Sequence, residues 1–62
     1  MSYMTVHFSE NGIHANFFTY YDNAKQWQLD MAGYGYPCGI YALQSDRSFV
    51  LLSMMEGDEK DV

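Results

Sequence analysis

Asn11-Gly12 stands between two strand-like runs and constrains the fold more than any other stretch of the chain. A two-residue type I′ hairpin turn needs positive φ at both centres, and Asn followed by Gly tolerates that best. With these two residues at the centre, Glu10 faces Ile13, Phe8 faces Ala15, Val6 faces Phe17 and Met4 faces Thr19. Those pairs share one mostly apolar face. The other face carries His7 with Asn16, Ser9 with His14, Thr5 with Phe18 and Tyr3 with Tyr20. Turn chemistry and two-residue alternation therefore predict the same ribbon over residues 3–21.

The segment after the ribbon reads two ways. As a strand, Gln26 to Ala32 alternates strictly, with Trp27, Leu29 and Met31 on one face and Gln26, Gln28 and Asp30 on the other. As a helix, Asp22 is the N-cap, Gly33 the stop, and Ala24, Trp27 and Met31 line one side. Alternation over seven residues is the better match, so a strand is expected, with the helix as the alternative. Ala32 to Gly39 holds three glycines and a proline, which exclude a regular element. Ile40–Gln44 and Phe49–Met55 are two further strand-like runs around a turn at Ser45–Ser48. With Asp46-Arg47 at its centre, Leu43 faces Val50 and Tyr41 faces Leu52. The second run is apolar on both faces, as in a strand covered on both sides; a helix from Ser45 to near Gly57 is the alternative there.

The expected fold is mainly β: a small antiparallel meander of about five strands, closed as a curled sheet or small barrel. The alternative is an α+β fold with one helix near 22–32 packed on a four-stranded antiparallel sheet. Met4, Val6, Phe8, Ile13, Ala15, Phe17, Trp27, Leu29, Met31, Leu43, Val50 and Leu52 would make one apolar face, which must be covered by closure, a helix or a second copy. Residues 1–55 form the single domain, and the acidic segment 56–62 reads as a disordered tail.

A 62-residue domain is marginally stable and usually needs a staple, a metal or a partner subunit. With one cysteine no internal disulfide forms, and no cysteine–histidine cluster can hold structural zinc. Self-association becomes the remaining remedy. Eight acids against three bases give a net charge of −5. A chain whose fixed cations are Lys25, Arg47 and Lys60 is poorly equipped to neutralise phosphates, so direct nucleic-acid binding and anionic membranes are not expected. The charge suits a basic protein partner or simply keeps an aromatic-rich domain soluble. The first residues lack a basic region and a long apolar run, and with the lone cysteine this fits the cytoplasm.

No catalytic, cofactor or metal site is expected. Gly33-Tyr34-Gly35 lacks the third glycine of a dinucleotide loop, since Cys38 stands at that position. Cys38 reads as a small packed residue, because an acidic chain disfavours its thiolate. His7 and His14 share a face diagonally, but two imidazoles hold a metal tightly only with a third ligand. The carboxylates are scattered over turns. The six tyrosines remain. Such side chains anchor protein interfaces by burying area at low entropic cost. Tyr3, Tyr20, Tyr34 and Tyr36, with Glu10, Asp22 and Asp30, are therefore the expected partner contacts. The expected function is a non-enzymatic acidic binding protein that occupies a basic, nucleic-acid-binding surface of another protein. By size and charge alone, not by a motif, it can be compared with inhibitors that phages and other mobile elements direct at host proteins. The alternative is a self-associating structural or regulatory homodimer whose acids only give solubility.

Overall fold

The computed structural model describes residues 2–57. Its elements follow as β1 (Ser2–Ser9), β2 (Gly12–Phe18), α1 (Tyr21–Gly33), β3 (Cys38–Leu43) and β4 (Phe49–Met55). The strands form one antiparallel sheet in the order β2-β1-β3-β4. The chain is thus mainly sheet with one helix, the second of the two architectures expected. The five-strand meander does not form, because Gln26–Ala32 is helical. The alternation of Trp27, Leu29 and Met31 is incidental. Ala24, Gln28 and Ala32 recur every four residues as the buried stripe, while Leu29 is 45% exposed. Ala, Lys, Gln, Leu and Met are all good helix formers. The described part of the expected acidic tail is Glu56 and Gly57; residues 58–62 lie outside the described residues.

The helix ends differ from expectation by one or two residues. Tyr20, not Asp22, precedes the first turn, with extended backbone and no side-chain cap. Asp22 lies within that turn, where a carboxylate complements the helix dipole. The stop is made at Gly35 rather than Gly33. Gly35 has φ 92°, its N–H donates to Ala32 O at 2.9 Å, and Tyr36 N–H donates to Met31 O at 3.0 Å. These paired bonds form a Schellman motif. The chain after β4 sits against it, so that a Cβ at Gly57 would overlap the Gly35 carbonyl.

The first hairpin forms, but its turn centres on Glu10-Asn11, since Ser9 pairs with Gly12. Among the turn residues only Gly12 has positive φ, at 118°, and Asn11 N–H donates to Ser9 Oγ at 3.1 Å. Met4 now faces Phe17, Val6 faces Ala15 and Phe8 faces Ile13. The expected register would have set Glu10 against Ile13 on the apolar face. The observed one moves the carboxylate into the turn and Thr19 past the end of the ribbon.

The β3–β4 turn is one residue longer than expected. Gln44 N–H donates to Ser48 O at 2.8 Å, and Arg47 takes the left-handed position with φ 71°. Asp46 Oδ1 accepts from Ser48 Oγ at 2.6 Å and from Ser48 N–H at 3.1 Å, bonds that hold its carboxyl below the usual range. Leu43 consequently faces Phe49 and Tyr41 faces Leu51, which places Val50 on the opposite face from Leu43. A bulge at Ile40/Tyr41 resets the register, so that Gly39 faces Met54 and Ile40 faces Ser53.

Strands β2 and β3 both run antiparallel to β1 and flank it, so α1 is a crossover between two parallel strands. Such a connection must pass over one face of the sheet. It lies over β1 and β3, on the side of Thr5, His7, Cys38, Ile40 and Ala42. The fully buried apolar residues are Ala24, Ala32, Cys38, Ile40 and Ala42, four of them small. Gln28 lies among them, wholly buried. Its Nε2 donates to Cys38 O at 2.9 Å and Ser53 O at 3.3 Å. Its Oε1 accepts from Lys25 Nζ at 2.9 Å and Ser53 Oγ at 3.3 Å. The Thr5 hydroxyl, equally buried, has no partner.

Opposite outcomes are expected at these two buried polar positions. Gln28→Leu strands the Cys38 and Ser53 carbonyls and should cost about 2–3 kcal/mol. Thr5→Val keeps the shape, removes the unpaired hydroxyl and should stabilise by about 1 kcal/mol. Urea denaturation checks both, as does Arg47→Gly, which relieves the left-handed residue and should add about 0.5–1 kcal/mol.

Candidate functional site

The outward side of the helix carries two of the expected contact residues, Asp22 and Asp30, and its two ends carry two more. Asp22, Gln26 and Asp30 recur at four-residue spacing, about 200° around the axis from the buried Ala24–Gln28–Ala32 stripe. The two carboxylates are therefore about 12 Å apart along one exposed ridge. Gln26 Nε2 donates to Asp30 Oδ1 at 3.2 Å. Tyr20 and Tyr34 stand at the two ends of the helix, 68% and 71% exposed. Lys25, the cation nearest this ridge in sequence, is turned inward to Gln28 and Ser53. Among the described residues no carboxylate makes an ion pair.

The other three expected contacts are elsewhere. Glu10 is exposed in the hairpin turn. Tyr3 is half-buried and meets Tyr21 edge-on, ring centres 5.7 Å apart, which closes the first helical turn onto β1. Tyr36 is half-buried in a groove beside the helix C-terminus. That groove, about 530 Å³, is lined by His7, His14, Asn16, Trp27 and Tyr36 together with the hairpin end.

His7 and His14 are directly opposed rather than diagonal, because of the shifted turn. Their rings stack at 5.0 Å, and Tyr36 lies nearly parallel to His7 at 6.2 Å. His7 is buried while His14 is exposed. His7 Nδ1 and Trp27 Nε1 are both sealed from solvent without a hydrogen-bond partner. Burial, then the charge of His14, pushes the His7 imidazole below its ordinary value of 6.5. Cys38 is fully buried beside His7 on β3, and burial pushes its thiol up. Burial disfavours the charged form of both the imidazole and the thiol, which is the opposite of what activates a nucleophilic cysteine. Among the described residues no three His, Cys, Asp or Glu side chains converge on a metal position.

The reverse face of the sheet was legible as an apolar face but not as a surface. Met4, Val6, Phe8, Ile13, Ala15, Phe17 and Leu43 do share it, joined by Tyr41, Phe49, Leu51 and Met54. The helix lies on the other side. Ile13 and Phe17 are 68% and 67% exposed. Trp27, Leu29 and Met31 are on the helix instead, and Val50 points to the helix side. No described helix is long and apolar enough to cross a membrane.

Comparison with protein families, with curated proteins and with solved structures finds no match, so the residues and their geometry carry the functional reading alone.

The buried histidine makes stability depend on pH. Its folded value lies below 6.5, so the unfolded chain binds the proton more readily. The contribution is complete above the unfolded value and is lost as pH falls through the window beneath it. The urea midpoint should drop between pH 7.5 and pH 5, and His7→Gln should remove most of that drop. A variant profile parallel to the parent would refute the assignment to His7.

Proposed function

We propose that the protein is a non-enzymatic binding module that holds another protein by its basic surface. The observation that carries this reading is the unpaired acidic ridge of α1. Asp22 and Asp30 project from the side opposite the sheet, Tyr20 and Tyr34 bracket them, and Lys25 is drawn away beneath the helix. Exposed carboxylates without a cation attract a basic surface and steer its approach. The bracketing tyrosines supply contact area with a polar tip. A rigid helix holds this spacing better than a loop would.

The partner class that best fits is a cytoplasmic protein whose basic surface handles nucleic acid. On that surface Asp22 and Asp30 take places that phosphates would occupy, and binding excludes the nucleic acid sterically and electrostatically. This is the action of a small inhibitor of the kind mobile elements produce. Self-association concerns the opposite face of the sheet and is compatible with it.

The test is affinity capture from a cell extract with the intact protein and with an Asp22→Asn, Asp30→Asn double variant. A captured partner should be released by added nucleic acid and by raised salt, because exposed charge contacts screen within about 8–10 Å at ordinary ionic strength. The double variant should retain at most about a tenth of the affinity. Capture indifferent to salt, nucleic acid and both substitutions would overturn the proposal.

A further inference from the structure

We infer that the uncovered face of the sheet docks on the same face of a second copy of this chain. The face is built from alternate residues of all four strands, including Met4 and Phe8 on β1, Phe17 on β2, and Phe49, Leu51 and Met54 on β4. No position on it is charged. Phe8, Phe49, Leu51 and Met54 are 46–51% exposed, and Phe17 more so.

The interior on the helix side explains why the occupant is a copy. It holds one large fully buried aliphatic residue, Ile40, among alanines and a cysteine. It also seals in three unpartnered polar atoms, on Thr5, His7 and Trp27. Phe18 and Trp27 pack half-buried at its edge, but Phe8, Phe17, Phe49, Leu51 and Met54 are on the outside. A domain this small, with large apolar side chains uncovered, is marginal by itself and gains stability from a partner that covers them. The one partner available to every newly made molecule is another molecule of the same kind.

Area and shape agree. Four strands about 4.8 Å apart and seven residues long project about 440 Å². Side-chain relief adds to this, and two such faces reach the roughly 1,000 Å² at which specific interfaces begin. Two twisted sheets stack about 10 Å apart with strands within about 30°. A two-fold axis makes one apolar face self-complementary. Of the described acids, Glu10, Asp22, Asp30 and Asp46 lie on turns or on the helix, off this face, and Glu56 follows the end of the edge strand β4, at its margin. Closing it therefore brings like charges together only around the rim.

Sedimentation of the intact protein from 1 to 100 μM, at low and high salt, tests the inference. The expected species has twice the 7.2 kDa chain mass. Its thermal midpoint should rise with concentration, and its association should tighten with salt as rim repulsion is screened. Phe17→Asp, counted twice across the two-fold, should weaken association on the order of 100-fold or more. Isotope-filtered NOEs in a mixed-label sample should link Met4 or Met54 methyls to Phe17 of the other copy, whether or not the Phe17 variant folds. A folded single chain at 100 μM with a concentration-independent midpoint would overturn the inference. So would a dimer whose intermolecular NOEs fall on the helix. The Asp22→Asn, Asp30→Asn protein should dimerise as the parent does, so loss of basic-partner capture and loss of the dimer are separable results.

Discussion

A helix is about 10 Å across, whereas four strands make a face about 19 Å wide. One helix of 13 residues therefore shields part of one side of this sheet and none of the other. Which side it shields is a matter of topology. The link from β2 to β3 joins parallel strands across β1, and crossovers of this kind keep one hand almost without exception. For a given strand order that leaves one face for the helix, whatever the greasiness of either. Here the helix lies over Thr5, His7, Cys38 and Ile40, and the face of Phe8, Phe17 and Leu51 is left open. The small core and the open apolar surface are two consequences of that single constraint.

The helix–sheet contact is close because Ala24 and Ala32 are small, and it is specified by Gln28. A buried amide is tolerable only when its donors and acceptor are answered, and Gln28 is answered by Cys38, Ser53 and Lys25. The bulge at Ile40/Tyr41 is part of this arrangement, since it puts Ser53 opposite Ile40 on the helix side. The network also shapes the surface. Lys25 is drawn beneath the helix to Gln28 and Ser53, so it does not neutralise Asp22 or Asp30. Interior packing and the exposed acidic ridge are thus coupled through one lysine.

The two hairpins show why some of this could be read from residues and some could not. Moving the first turn one residue earlier changes every pairing by two positions, and the side-chain period in a strand is two. Each face therefore kept its members although no predicted pair survived. Lengthening the second turn by one residue shifts pairings by one as far as the bulge, so Phe49 and Leu51 lie on the apolar face, Val50 lies on the other, and Leu52 is the residue skipped at the bulge. Arg47 in the left-handed position gave no warning, because that conformation normally announces itself with Gly or Asn. The helix was hidden for a related reason. Trp27, Leu29 and Met31 obey a period of two, while the stripe that is actually buried consists of two alanines and a glutamine, which hydrophobicity does not mark. Of the expected contact residues, Asp22 and Asp30 share the exposed ridge with Gln26 because that segment is helical, and Tyr20 and Tyr34 mark its two ends. The pairing of Tyr36 with His7 depends on the Schellman turn at Gly35, whose sequence mark, a glycine two residues past the last helical position, is present but shared with Gly33.

The two sides of the sheet are specialised in opposite ways, and this sets how they can be used together. The acidic ridge lies on the outer side of the helix and the apolar face on the far side of the strands. In a face-to-face pair, the stacked sheets and the two helices separate the ridges by about 30 Å or more. That is several times the roughly 8–10 Å over which charges act at ordinary ionic strength. The ridges would neither repel one another nor fall within reach of a single small partner. On the proposed reading each ridge would meet its own basic surface, and pairing the sheets would join two partner molecules without altering how either is held.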